Sequence, residues 1–189
     1  MSHDQPTIFV SAVTQELKTA RQLVIEKLEF LGYRILCQEL FGMEAGDLRL
    51  MISKKIDASE GVIQLIGNRF GFGPNQPDPR FGRISYTQYE AKYATERNLK
   101  VWYILLTDQF PFDAAPAEAA ELRELQKAYR KGIEQSESLW YPASSMPEME
   151  AKVLHLRSDL AACRTYSYSI KNLGIQISAP ISAGKTWLL

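Results

Sequence analysis

Neither sign of charge predominates in this chain: 22 Lys and Arg stand against 22 Asp and Glu in 189 residues. That balance leaves no global field to recruit nucleic acid or an anionic membrane. Cysteine is scarce. Cys37 and Cys163 lie far apart and form no metal or redox motif, and Cys37 sits inside an apolar run as a buried thiol would, which argues against a disulfide framework. The two histidines, His3 and His155, have no partner spacing for metal or triad chemistry, so no metal site is expected. No apolar run is long enough to span a bilayer. The opening from Met1 to Pro6 is polar and lacks a signal-peptide core. The expectation is a soluble, cytoplasmic protein with no direct nucleic-acid or membrane partner.

What the chain does have is an alternation of short apolar runs and amphipathic segments. Thr7-Ile8-Phe9-Val10 is β-rich and ends at Ser11, after which Leu17, Ala20, Val24, Leu28 and Leu31 recur at helical spacing up to a terminating Gly32. Tyr33 to Cys37 reads as a second strand, Leu48, Met51, Ile52 and Ile56 as a short helix, and Gly61 to Gly67 as a central strand covered on both faces. The segment from Asn68 to Arg83 carries several Gly and Pro residues, and a connection that long is functional or disordered. Ser85-x-x-Gln88 has capping-box spacing and starts a helix. A strand from Val101 to Leu106 follows, then a Pro-rich loop, a helix from about Ala117 to Lys131, and a last helix opened by Ser145-x-x-Glu148.

Such alternation predicts an α/β fold: a flavodoxin-like parallel sheet of order 2-1-3-4, extendable by a fifth strand, with helices on both faces. Residues 1–164 are read as the domain and 165–189 as a C-terminal tail or the start of a following segment. In that tail Ile175-Gln176-Ile177 has strand character, and Gly184-Lys185-Thr186 has the ending of a phosphate-binding loop without its first glycine.

In such sheets ligands bind beyond the carboxyl ends of the strands, where the order reverses. Ser11, Phe41 to Glu44, Asn68 to Gly73, Thr107-Asp108 and the start of the Ser85 helix would gather there. Glu90, in the first turns of that helix, is either a ligand-facing carboxylate or a solvated residue paired near Lys92 or Arg97. Arg69 offers a planar fork to a phosphate or a loop-anchoring ion pair. Ser11 and Ser85 serve as caps or ligand contacts, and Tyr86, Tyr89 and Tyr93 divide between core and base stacking. Gly67, Gly71 and Gly73 serve backbone geometry, and Asp57, at the opposite edge, a structural role.

Ile8-Phe9-Val10-Ser11 with Glu16-Leu17 and Arg21, then Met43-Glu44, Asp57, Gly67-Asn68-Arg69-Phe70-Gly71 and Ser85-Tyr86-Thr87-Gln88-Tyr89-Glu90, follow one another in a familiar order. This set, spanning roughly residues 6–107, resembles a TIR-like domain of unassigned function found at the N-termini of STAND-type NTPase and repeat proteins. It departs from that pattern at Ala12-Val13 and in having an aromatic before Glu90 rather than after it. The wider resemblance is to TIR domains and nucleoside deoxyribosyltransferases, in which a Glu on the helix before the fourth strand carries N-glycosidic cleavage; by position that residue is Glu90. The resemblance implies a nucleotide-binding effector of antiviral-defence type, a candidate hydrolase of NAD that uses no cofactor, self-associating and working with a STAND-type NTPase. Glu90 would be catalytic, and Ser11, Arg69, Phe70, Gly71, Ser85 and Tyr86 would bind substrate. The alternatives are a non-catalytic self-association or protein-interaction module and a deoxyribosyltransferase-like enzyme.

Overall fold

Each short apolar run becomes a strand because it is too brief for a helix and rich in β-branched and aromatic residues. In the computed structural model, which describes residues 5–38 and 48–161, the elements are β1 (Thr7–Ser11), α1 (Thr14–Phe30), β2 (Arg34–Leu36), α2 (Leu48–Asp57) and β3 (Gly61–Ile66). They continue with α3 (Tyr86–Glu96), β4 (Lys100–Leu106), α4 (Ala120–Glu134), β5 (Trp140–Ala143) and α5 (Met146–His155). The tail from Thr165, the loop from Phe41 to Glu44, His3 and Cys163 lie outside the described residues. All five strands are parallel, in the order β2-β1-β3-β4-β5. This is the predicted order, fifth strand included.

Side chains alternate across the sheet, so β1 sends Ile8 and Val10 to one face and Phe9 to the other. On the first face they meet the buried stripe of α1 (Leu17, Ala20, Val24, Leu28) and α5's Met149 and Val153. On the second, Phe9 and Val62 pack with Ile52 and Ile56 of α2 and Tyr89 and Ala94 of α3, while Tyr103 and Leu105 meet Ala91 of α3 and Ile133 of α4. β1 and β3 are buried along their whole length, which leaves their carboxyl ends as the accessible part of the sheet centre.

Three local differences from the sequence expectation have physical reasons. β5 reads Trp-Tyr-Pro-Ala, too short and proline-interrupted for a strand pattern; as an edge strand it tolerates Pro142, which lacks an N–H. α4 starts at Ala120 rather than near Ala117, because Glu118 is drawn away to bond the loop beyond β3. Ser145 caps α5 by accepting from the Glu148 amide at 3.3 Å, but the Glu148 carboxylate accepts from the Ser144 amide at 2.8 Å, one residue outside the reciprocal box. Within α1, Leu17 has φ −128° and ψ 19°, outside helical values, so the first turn is set off from the rest.

Candidate functional site

The sheet order reverses at β1, whose neighbours β2 and β3 both follow it in sequence, and a cleft of about 370 Å³ opens at that end. Its walls come from Val13 to Gln15 beyond β1, Gln38 beyond β2, Phe72 and Gly73 beyond β3, and Tyr86 and Thr87 at the start of α3. The helix starts here because of Ser85. Its hydroxyl accepts from the Gln88 amide at 3.2 Å while the Gln88 side chain accepts from the Ser85 amide at 3.4 Å, completing the box read from the sequence. Buried amides then fix this end of α3 to its surroundings. Gln64 of β3 donates to the Thr87 carbonyl at 2.7 Å and accepts from the Tyr129 hydroxyl at 2.7 Å. Gln88 donates to Gln126 of α4, which donates to the Gly67 carbonyl, both at 3.0 Å.

Residues three and four apart share a helix face. Glu90, three after Thr87 and four after Tyr86, therefore lies one turn deeper on the face that walls the cleft, and it is buried. Ser11, at the carboxyl end of β1, donates from its hydroxyl to Glu90 Oε2 at 2.5 Å. Glu90 Oε1 has no hydrogen-bond partner among the described residues. Burial pushes the Glu90 carboxyl up to about 8, and the Ser11 hydrogen bond and the positive charge of Arg21 offset this only in part. At neutral pH the group is thus mostly a neutral acid, able to donate a proton, and it ionises when positive charge arrives beside it. A solvated Glu90 paired with Arg97 does not occur: Arg97 bonds Asp57 at 2.8 Å, and Asp57 also accepts from Tyr93 at 3.0 Å.

The loop beyond β3 is organised around two other carboxylates. Glu16 of α1 accepts from the Arg69 amide at 2.8 Å and sits so close to Gly67 that a Cβ there would lie 2.2 Å from its Oε1. Burial raises the Glu16 carboxyl more than the Arg69 and Asn68 amides lower it. Glu118 accepts from the Phe70 and Gly71 amides, both at 3.0 Å. Arg69 donates to the Pro116 carbonyl and to Gln15 at 3.5 Å, and its guanidinium comes within 3.9 Å of Glu118. Phe70 is buried, and Gly71 takes φ +77°, a left-handed value that favours glycine.

The rest of the long connection is pinned rather than free. Asp78 accepts from the Arg80 and Phe81 amides at 2.9 and 3.3 Å, bridges to Gly82 through its backbone, and pairs with Arg49 of α2 at 3.3 Å. Arg80 reaches Glu96 at 2.5 Å and lies 4.8 Å above the Phe81 ring.

Of the residues singled out in the sequence, Ser11 and Glu90 are thus in direct contact, with Ser85 capping the same helix and Tyr86 on the cleft wall. Arg69, Phe70 and Gly71 lie in the adjoining loop; neither they nor Ser11, Ser85 and Glu90 line the cleft itself, and of these predicted residues only Tyr86 does. In the sequence Glu16 and Arg21 figure only as motif residues and Gln88 only as a cap partner, with no role at the site, and Glu118, Gln64 and Gln126 are not singled out at all. Helix-face position could have pointed to Arg21, which falls four residues after Leu17 on the buried stripe; nothing marks Glu118. Phe72, 73% exposed on the rim, is a further addition. Among the described residues no group of three or more His, Cys, Asp or Glu could hold a metal ion, and no helix is long and apolar enough to cross a membrane.

Residues 7–155 match the family model described as a domain of unknown function, DUF4062. No curated protein matches significantly. Among solved structures, the chain is similar to the CMP N-glycosidase BcmB of Clostridium botulinum, with 16% identity and a TM-score of 0.46 over 78% of this chain and 96% of that one. It is also similar to a metal-soaked flavodiiron core from Synechocystis, with 11% identity and a TM-score of 0.41 over 87% of this chain and 37% of that one.

Proposed function

The chain belongs to the family of domains of unknown function DUF4062, and we propose that its switch-point cleft binds a nucleotide whose N-glycosidic bond is cleaved with the help of Glu90. One observation carries this reading: a carboxyl group buried one turn beneath the cleft, with one oxygen on Ser11 and the other without a partner among the described residues. A buried polar atom left unbonded costs about 1–3 kcal/mol. A group kept at that cost, with a strongly raised pKa at a cleft, is a candidate for chemistry.

The volume suits a small ligand and falls toward the lower end of the range for such sites, roughly 300–1,000 Å³. Phe72 on the rim and Tyr86 in the wall offer aromatic faces to a base. The base departs with the electron pair of the glycosidic bond and leaves oxocarbenium character on the ribose; Glu90 passes its proton to the leaving base or to solvent water, and as a carboxylate it stabilises or attacks the sugar carbon until water adds there and a proton is released. A nicotinamide nucleotide carries its positive charge at the leaving base already, which makes NAD the substrate to test first. Action in the cytoplasm as a self-associating effector beside a STAND-type NTPase is the setting that the sequence resemblance implies.

The complete burial of Glu90 favours a second reading, a non-catalytic module in which the same acid is part of the core. Incubating the chain at high concentration with NAD and with a panel of nucleosides and nucleotides, and following free base by chromatography, separates the two. Base release that falls about a hundredfold or more in Glu90→Gln is the expected result. Release at wild-type rate in the variant removes Glu90 from the mechanism. No release by the wild type, with nucleotide binding absent by calorimetry, favours the interaction module.

A further inference from the structure

A second cleft, of about 560 Å³, lies between α4 and the carboxyl ends of β3 and β4, and it shares no lining residue with the first. We propose that it is a binding site for a small polyphosphorylated molecule, held by Arg123, Lys127, Arg130 and Lys131. These four cations face only two carboxylates in the lining, Asp108 and Glu134. The chain as a whole is neutral, so the excess is local rather than a reflection of overall charge.

Arg130 sets the site. Its Nη1 donates to the Ile66 and Gly67 carbonyls, both at 3.0 Å, and its Nη2 to the Leu106 carbonyl at 2.9 Å. Three backbone oxygens at the ends of two strands hold the guanidinium in place without neutralising it, and it has no carboxylate partner among the described residues. Arg123 and Lys131 likewise form no ion pair among the described residues. Lys127 pairs with Glu124 at 2.7 Å, but both side chains are about 70% exposed, and such a pair exchanges readily. Asp108 accepts from Asn68 at 3.2 Å.

Two simpler explanations fall short. The helix macrodipole favours cations in the last turn, which accounts for Lys131 but not for Arg123 in the first. A solvated charged face accounts for exposed lysines but not for a cleft with an immobilised arginine in it. Positions 123, 127, 130 and 131 fall on one side of the helix, where like charges repel in the absence of an anion. The first and last are separated by roughly 12 Å along the axis, too far for both to close on a single phosphate but within reach of their long side chains for a short chain of linked phosphates. The bounded cleft and the neutral chain argue against nucleic acid, which needs a continuous basic track.

The test is calorimetric titration of the full chain with sodium tripolyphosphate at low ionic strength, in parallel with ATP, inorganic phosphate and a single-stranded oligonucleotide. The comparison variant is Arg123→Gln/Lys127→Gln/Lys131→Gln, all exposed positions, with Arg130 left to hold the strand ends and the fold checked by circular dichroism. Saturable binding of tripolyphosphate, tighter than of phosphate and weakened about tenfold or more in the variant, is expected. Equal affinity for ATP, weakened in the same variant, means that the phosphate chain alone is recognised, and tighter ATP binding that the variant also weakens means that a nucleoside triphosphate is the ligand; both support the site. No saturable binding, unchanged binding in the variant, or tighter binding of the oligonucleotide overturns it. No turnover is measured, so failure here is distinct from failure of the Glu90 reading.

Discussion

Replacing Glu90 by Gln should remove a large part of the stability that the wild type loses as pH rises from about 4.5 to about 8. The carboxyl titrates near 4.5 in the unfolded chain and at about 8 in the folded one, because burial disfavours the charge. Below the lower value it is protonated in both states and costs nothing. As pH rises from 4.5 to about 8, the unfolded chain gives up the proton and the native state keeps it, so stability falls throughout that window and levels off above it. At about 1.4 kcal/mol per pH unit the loss is on the order of 5 kcal/mol, a large part of the stability of an ordinary domain. The Gln amide still accepts from Ser11 but places an NH2 where Oε1 has no partner, at about 1–3 kcal/mol. The variant should therefore be no more stable than the wild type near pH 5 and clearly more stable above pH 8, so the two curves cross. Urea midpoints measured in steps from pH 5 to 9, with the slope m checked for constancy, read this directly. Subtracting one curve from the other cancels every other titrating group. Parallel curves would refute the burial argument and with it the neutral acid at pH 7.

Two further perturbations probe the loop beyond β3. Gly67→Ala puts a Cβ 2.2 Å from Glu16 Oε1 and must dislodge that carboxylate from the Arg69 amide; a loss of about 2–4 kcal/mol in denaturant unfolding is expected, and unchanged stability would mean that the carboxylate swings aside at no cost and does not hold the loop. For Asp78, burial pushes the carboxyl up but the Arg80 and Phe81 amides and the Arg80 and Arg49 guanidinium groups outweigh it, leaving it below the usual range. Its contribution is present above the ordinary aspartate value and is lost as pH falls below it. Asp78→Asn at neutral pH should speed hydrogen exchange across residues 74–83 while leaving the sheet protected; identical exchange in the two proteins would mean that other contacts hold the segment.

The sheet order was legible because each central strand is a mostly apolar run, broken in β3 only by Gln64, and the first crossover is a clear helical stripe; Ile8 to Val10 followed by Leu17, Ala20 and Val24 is enough to predict a right-handed unit. The Ser85 cap was legible because both halves of the box lie in four residues. Glu90 stood out by position, yet its burial did not, since that depends on Ser11, 79 residues away. Glu118 was illegible for a similar reason. It looks like one more acid in an Ala-rich helix, and only the tertiary fold shows its carboxylate filled by the Phe70 and Gly71 amides. Trp140 to Ala143 makes a strand only because the edge of β4 is there to pair with.

The break at Leu17 has a mechanical consequence. The single turn ahead of it carries Thr14 and Gln15 on the cleft wall, and Glu16, which grips the Arg69 amide and whose carbonyl accepts from Asp113. Everything after it is bolted to the sheet through Ala20, Val24 and Leu28. The turn is nevertheless tied back to its own helix, since Arg21 donates to the Thr14 hydroxyl at 2.9 Å and the Asp113 carboxylate accepts from the Thr19 amide and hydroxyl. The strap around Asp113 therefore spans the break, fastened to Glu16 on one side of Leu17 and to Thr19 on the other. The kink is stapled rather than hinged, so the β1 wall of the cleft and the loop beyond β3 share one frame with the body of α1.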